Sequence, residues 1–137
     1  IYLKNIMYQY KILEVLRVID GDTVDVMIDL GFNIHMKQRI RLSHIDAPSI
    51  HTLNEEVKKY GMRAKEKLEE YLKTGDRLVV ATQNPNKTEK YGRILGELYV
   101  EGNSLTASEY LFANQYAWVY DEGKRKTDLS ELAALNE

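Results

Sequence analysis

Thr23-Val24-Asp25-Val26-Met27-Ile28-Asp29-Leu30 is followed by Gly31-Phe32-Asn33 and then by Ile34-His35-Met36-Lys37-Gln38-Arg39-Ile40-Arg41-Leu42-Ser43-His44. The first run alternates, with Val24, Val26, Ile28 and Leu30 on one face, so it reads as a half-buried strand. Gly31 to Asn33 reads as a turn. The second run alternates again: Ile34, Met36, Ile40 and Leu42 share the apolar face, and His35, Lys37, Arg39 and Arg41 share the other. The pattern therefore predicts a hairpin with Arg41 on the non-core face, reaching solvent.

Working outward, Tyr10 to Ile19 is apolar and β-branched, and Asp20-Gly21-Asp22 punctuates it before the hairpin. After it, Thr52 and Glu55 have the spacing of a capping box. Val57, Tyr60, Ala64, Leu68 and Tyr71 recur at helical intervals, predicting a helix near Thr52 to Lys73 that Thr74-Gly75 stops. Arg77 to Thr82 reads as a strand, Asn84-Pro85-Asn86 as a turn and Ile94 to Val100 as a strand. Leu105 to Tyr116 and Thr127 to Leu135 read as helices, the last with Asp128 and Glu131 spaced as a capping box. Periodicity alone supports an α+β fold with a small antiparallel sheet. The order, three strands, a helix, two strands and then helices, suits a five-stranded OB-fold barrel with three helices.

The 137 residues suit one domain, read as 10–137, with 1–9 as a leader or remnant because Met7 follows Ile1 to Ile6. Cysteine is absent, which removes disulfides, thiol nucleophiles and thiolate metal sites. No apolar run approaches the ~20 residues needed to span a bilayer, and no signal peptide is visible, so the compartment stays open. Net charge is −2. That argues against coating DNA by charge alone, though not against an enzyme with locally placed cations.

Four segments carry chemistry. Asp20-Gly21-Asp22-Thr23 sets two carboxylates at a turn between strands; the plain alternative is an ordinary acidic hairpin. Arg41-Leu42-Ser43-His44-Ile45-Asp46-Ala47-Pro48 carries an arginine and then an aspartate in a proline-stiffened turn, or simply a surface arginine and a turn aspartate. Glu89-Lys90-Tyr91-Gly92-Arg93-Ile94 pairs an arginine with an exposed tyrosine, suited to a phosphate and a base or sugar, or to a polar hairpin approach. Ala117-Trp118-Val119-Tyr120 offers aromatics for stacking, although composition favours buried core. His35, His44 and His51 read as solvated or packed, and Lys124-Arg125-Lys126 as a solvated basic loop within reach of a nucleic-acid strand.

Together and in this order these segments resemble the staphylococcal nuclease family, over about Val18 to Tyr120. Lys59-Tyr60-Gly61 also matches, while the hairpin around Gly31 is longer than in the type member. The resemblance implies a calcium-dependent nuclease that hydrolyses phosphodiester bonds of DNA or RNA, with no membrane association and a monomeric state. It implies that Asp22 and Asp46 ligate Ca2+ with the backbone carbonyl of Ala47 nearby, and that Asp20 stands behind them. Arg41 and Arg93 would bind the scissile phosphate, and Lys90, Tyr91, Trp118 and Tyr120 would line the nucleotide site. The family motif continues D-[AT]-P-E, whereas this chain reads Asp46-Ala47-Pro48-Ser49. Ser49 therefore stands at the position of the family's proposed general base, and a serine hydroxyl is no useful base at neutral pH. Weakened catalysis follows. Glu55 or Glu56 is a candidate substitute base, though capping would occupy Glu55. The alternative function is a non-catalytic OB-fold module that binds nucleic acid.

Overall fold

A computed structural model describes residues 7–120 and 127–135. Its elements are β1 (Tyr8–Asp20), β2 (Thr23–Asp29), β3 (His35–Leu42), β4 (Ile45–Asp46), α1 (Glu55–Leu72), β5 (Leu78–Thr82), β6 (Ile94–Val100), α2 (Ala107–Ala113) and β7 (Trp118–Val119). Five strands close a barrel in the order β1-β2-β3-β6-β5, and β4 and β7 form a separate two-stranded ladder. All barrel contacts are antiparallel except β3 with β6, which run parallel over Ile40–Leu42. This is the OB-fold arrangement.

Closure depends on β1. Its pairing with β2 slips after Ile12, Val15 and Val18. Each slip adds a residue to one strand and sharpens the coil, so one long strand can bend from β2 round to β5. Ile12 and Val18 point inward with Val24, Val26, Ile28, Ile40, Leu42, Val80, Leu98 and Val100, while Leu68 and Tyr71 of α1 close one end. Tyr8 and Gln9 pair with Thr82 and Ala81 of β5, so these two residues of the segment read as a leader belong to the barrel wall.

The hairpin departs from its simple alternation. Ile34 and Met36, expected in the core, are 55% and 47% exposed. The β3–β6 ladder covers only Ile40 to Leu42. The first half of β3 is therefore an edge projecting past the barrel, where the inward-facing side chains meet no opposite wall.

Helix α1 is capped by Asn54, not by Thr52: the Asn54 side chain accepts from the N–H groups of Glu56 and Val57, and Thr52 Oγ1 accepts from Asn54 N–H. Glu55 therefore has no capping-box partner and is exposed. Helix α2 starts at a true capping box between Thr106 and Glu109. The third expected helix is reduced to a single 3-10 turn, Leu129–Glu131. Backbone groups there are satisfied by other partners: Trp118 Nε1 donates to Asp128 O at 2.9 Å, Ala133 N donates to Gln115 O at 3.0 Å, and Arg63 donates to the carbonyls of Ala133 and Ala134. A segment whose polar groups are already paired gains little from coiling into a helix.

Two glycines set the distance between α1 and the loops it supports. A Cβ on Gly61 would lie 2.7 Å from Pro48 O, and one on Gly21 would lie 2.6 Å from the Ala64 Cβ. The Asp20–Asp22 turn and the Asp46–Ser49 turn are thus both seated directly on the helix.

Candidate active site

The β1–β2 turn brings Asp20 and Asp22 to the barrel rim, where Asp20 Oδ1 accepts the Asp22 N–H at 3.1 Å. Asp22 is buried. Its Oδ2 accepts the Ala47 N–H at 2.9 Å, and its Oδ1 accepts the Thr23 hydroxyl at 3.0 Å. Burial, and then the hydrogen bond and charge of Asp22, push the Asp20 carboxyl up to about 7.

Arg41 is the hinge of the cluster. Nη1 donates to the carbonyls of Leu42 and Ile45 at 2.7 and 2.8 Å. Nη2 lies 3.5 Å from both Asp22 Oδ2 and Asp46 Oδ1. The alternation placed Arg41 correctly on the outer face of β3, but the expectation that it reaches solvent is wrong, since it is only 9% exposed. Ile45 and Asp46, held by β7 through the pairs Ile45–Val119 and Asp46–Trp118, fold back over that face.

Arg93 enters from the start of β6. Nη1 donates to Thr23 Oγ1 at 3.4 Å, so Thr23 links Arg93 to Asp22 through one hydroxyl. Nε and Nη2 form a forked pair with Glu89 Oε1 and Oε2, both at 2.9 Å. Glu89 Oε1 also accepts the N–H groups of Tyr91 and Arg93. Lys90 and Arg93 lie 5.0 and 5.4 Å from the centre of the exposed Tyr91 ring. Tyr120 is exposed and lies 5.9 Å from the Arg41 guanidinium. Trp118 is 4% exposed and presents no face to solvent; it supports the wall, as composition suggested. Ser49 Oγ accepts the His51 N–H at 3.0 Å, closing a local turn. Asp22, Arg41, Asp46 and Arg93 thus converge. Sequence reading assigned no role to Thr23 or Glu89, although Thr23 sits inside the Asp-Gly-Asp-Thr turn and Glu89 four residues before Arg93. The cluster Lys124-Arg125-Lys126 lies outside the described residues.

The Arg93 hydrogen bonds hold the Glu89 carboxyl down from 4.5 to about 2. A folded pKa below the unfolded one stabilises the fold above about 4.5, and that contribution is lost as pH falls toward 2. The pair is mostly buried, with side chains 22% and 23% exposed. Glu89→Gln is expected to lower stability at pH 7 by roughly 2 kcal/mol and to leave stability at pH 2 nearly unchanged. Urea unfolding at the two pH values checks this; an equal loss at both would assign the effect to packing.

Asp22 and Asp46 supply hard oxygen donors, and Thr23 lies beside them. Among the described residues no group of three or more His, Cys, Asp or Glu side chains is arranged to hold a metal. Calcium takes 6–8 oxygens, about, and tolerates water and phosphate among them. The donor set fits a hard cation held partly by a ligand, not a closed structural site.

Fold and site together define a small barrel whose rim carries two carboxylates cross-linked by one arginine, with a second arginine and exposed aromatics alongside. The model of the staphylococcal nuclease homologue family matches residues 39–137, and the chain belongs to that family. Among curated relatives, Endonuclease YncB of Bacillus subtilis is 30% identical over 119 residues, covering 85% of this chain and 53% of that relative. An uncharacterized endonuclease of Escherichia coli is 31% identical over 108 residues, covering 79% of this chain and 60% of its own length. A micrococcal nuclease of Shigella flexneri is 35% identical over 86 residues, covering 63% of this chain and 41% of its own. The chain therefore spans about half the length of these relatives. No helix among the described residues is long and apolar enough to cross a membrane.

Proposed function

We propose that this chain is a calcium-dependent nuclease that hydrolyses phosphodiester bonds of DNA or RNA, with turnover weakened by Ser49. The observation that carries the reading is the single guanidinium of Arg41 held between Asp22 and Asp46, with Arg93 tied to Asp22 through Thr23. Two forked cations beside two carboxylates suit a phosphate that is bound together with a cation and gains negative charge during attack. Asp22 and Asp46 would hold calcium, with the Ala47 carbonyl beside them; the ion would polarise the phosphate and help to activate water. Arg93 would donate to the phosphate oxygens while Glu89 keeps its guanidinium oriented. Tyr91, Lys90 and Tyr120 would contact the nucleotide, and Trp118 would act from behind by fixing β7.

A second reading rests on Ser49, which leaves the position of the family's glutamate without a carboxylate. On that reading the chain binds nucleic acid without cleaving it. Both readings retain the phosphate site.

Calcium binding is expected to be weak alone and tighter with a nucleoside 3′,5′-bisphosphate, because affinity follows ligand charge and two carboxylates supply little of it. Calorimetry with calcium alone and then with the bisphosphate measures this. Calcium binding that survives Asp22→Ala and Asp46→Ala would place the ligands elsewhere and defeat the assignment.

A further inference from the structure

Beyond the rim, the outer face of the β2–β3 ribbon continues away from the site. Its cross-strand pairs are Thr23–Arg41, Asp25–Arg39, Met27–Lys37 and Asp29–His35, and β1 adds Arg17 opposite Asp25. Side chains on one face recur about every 6.8 Å, so Arg41, Arg39, Lys37 and His35 form a file.

Past the buried Arg41, the exposed Arg39 and Lys37 carry the positive charge of the file. In the Arg39–Asp25 pair the guanidinium is 49% exposed and the carboxylate 6%, with Nε and Nη2 at 2.8 and 3.1 Å from its oxygens. Asp29 Oδ1 is engaged by the Gly31 N–H at 2.8 Å. On β1 the rows continue with Glu14 opposite Met27, Asp20 opposite Thr23 at the site end, and Lys11 opposite Asp29. The file is also continuous with the site. Asp25 is held below its usual carboxylate range first by the Arg39 hydrogen bond and further by Lys37 and Arg17, while Arg39 feels Arg93 and Asp20.

At the ribbon's tip Phe32 is 96% exposed. It sits between Gly31 and Asn33 with all three residues at positive φ, 82°, 55° and 62°. A bulky side chain in that region is strained, and full exposure returns no burial energy, so folding gives no reason for a phenylalanine there.

We propose that the outer face of the β2–β3 ribbon is a rail for the single nucleic-acid strand running away from the scissile phosphate, with Arg39 and Lys37 on its phosphates and Phe32 stacking on a base at the tip. The inference rests on the phosphate site proposed above and extends it to long substrates. Stacking of bases on aromatic side chains beside a cationic track is the general chemistry of single-strand binding. A chain of net charge −2 then needs only this local file of cations to hold a strand.

Anisotropy titrations with a labelled oligothymidylate of roughly 20 nucleotides, in chelator so that no cleavage occurs, test the rail; calorimetry with a dinucleotide is the short control. Lys37→Glu should raise Kd for the long strand by about 5- to 10-fold and flatten its salt slope by about 0.7. Phe32→Ala should raise it roughly 5-fold or more. Both variants alter exposed side chains, and both should leave the dinucleotide unaffected. Unchanged Kd for the long strand overturns the rail. Equal weakening of both ligands overturns it too, by locating the damage in the phosphate site. A change from dimer to monomer on Phe32→Ala, with Kd unchanged, would give the face to a second copy. Absence of cleavage by the unaltered protein would defeat the nuclease reading while leaving these binding differences readable.

Discussion

Arg41→Ala is expected to cost about 3–5 kcal/mol of stability and to abolish turnover, the figure typical of removing one partner from a buried ion pair. Arg41 is buried and satisfies four acceptors at once: two backbone carbonyls and the carboxylates of Asp22 and Asp46. Its loss would leave Leu42 O and Ile45 O without this donor and set two carboxylates side by side without the cation between them. Against a total stability of about 5–15 kcal/mol this is a large fraction. Trp118, the chain's one tryptophan, is buried beside β4 and gives a fluorescence readout of unfolding. Arg41→Lys keeps one positive charge but not the fork, so it should recover part of the stability and little of the rate. A stability loss below about 1 kcal/mol for Arg41→Ala would mean that the bridge is not what holds the β3–β4 corner.

The second large effect is a gain. Ser49→Glu is expected to raise calcium-dependent cleavage about 10-fold or more, since a positioned general base is typically worth ~10²- to 10⁴-fold. Ser49 follows Pro48 in the turn seated on Gly61, so a longer side chain would start from a fixed backbone. The Ser49 hydroxyl now accepts the His51 N–H, a local bond whose loss costs little beside the gain. Affinity for substrate should stay level or fall slightly, because the added charge repels phosphate. Arg93→Ala in the same background should abolish the gain, as it removes a donor to the developing charge. A fast unaltered protein that Ser49→Glu slows would point to another base. Glu55→Gln and Glu56→Gln are then the next variants, because both side chains are exposed and Asn54, not Glu55, completes the helix cap.

Much of the barrel was legible because its signals are local. Ile94 to Val100 is a strand with the bounds its sequence suggests, and the side-chain order on β3 is as alternation dictates. Burial was harder to read. Ile34 and Met36 follow the same alternation as Ile40 and Leu42, yet only the latter pair lies where β6 closes the wall. Burial of Arg41 depends on β4 and β7, strands of two residues each whose pairing spans more than seventy positions and leaves no periodic trace. The third helix failed for a related reason: Trp118, Gln115 and Arg63, all outside the segment, take backbone groups a helix would need. At the site, the carboxylates and arginines could be picked out by motif. The parts played by Thr23 and Glu89 required knowing that Arg93 leans across to β2.

The most direct test of the nuclease reading is cleavage of single-stranded DNA by the unaltered protein in calcium, with a calcium chelator and the Arg93→Ala variant run beside it. The expected result is slow cleavage in calcium, none in chelator, and a loss of about 10²- to 10³-fold on Arg93→Ala, the usual worth of one preorganised donor. Cleavage that persists in chelator, or that Arg93→Ala leaves unchanged, would contradict the account.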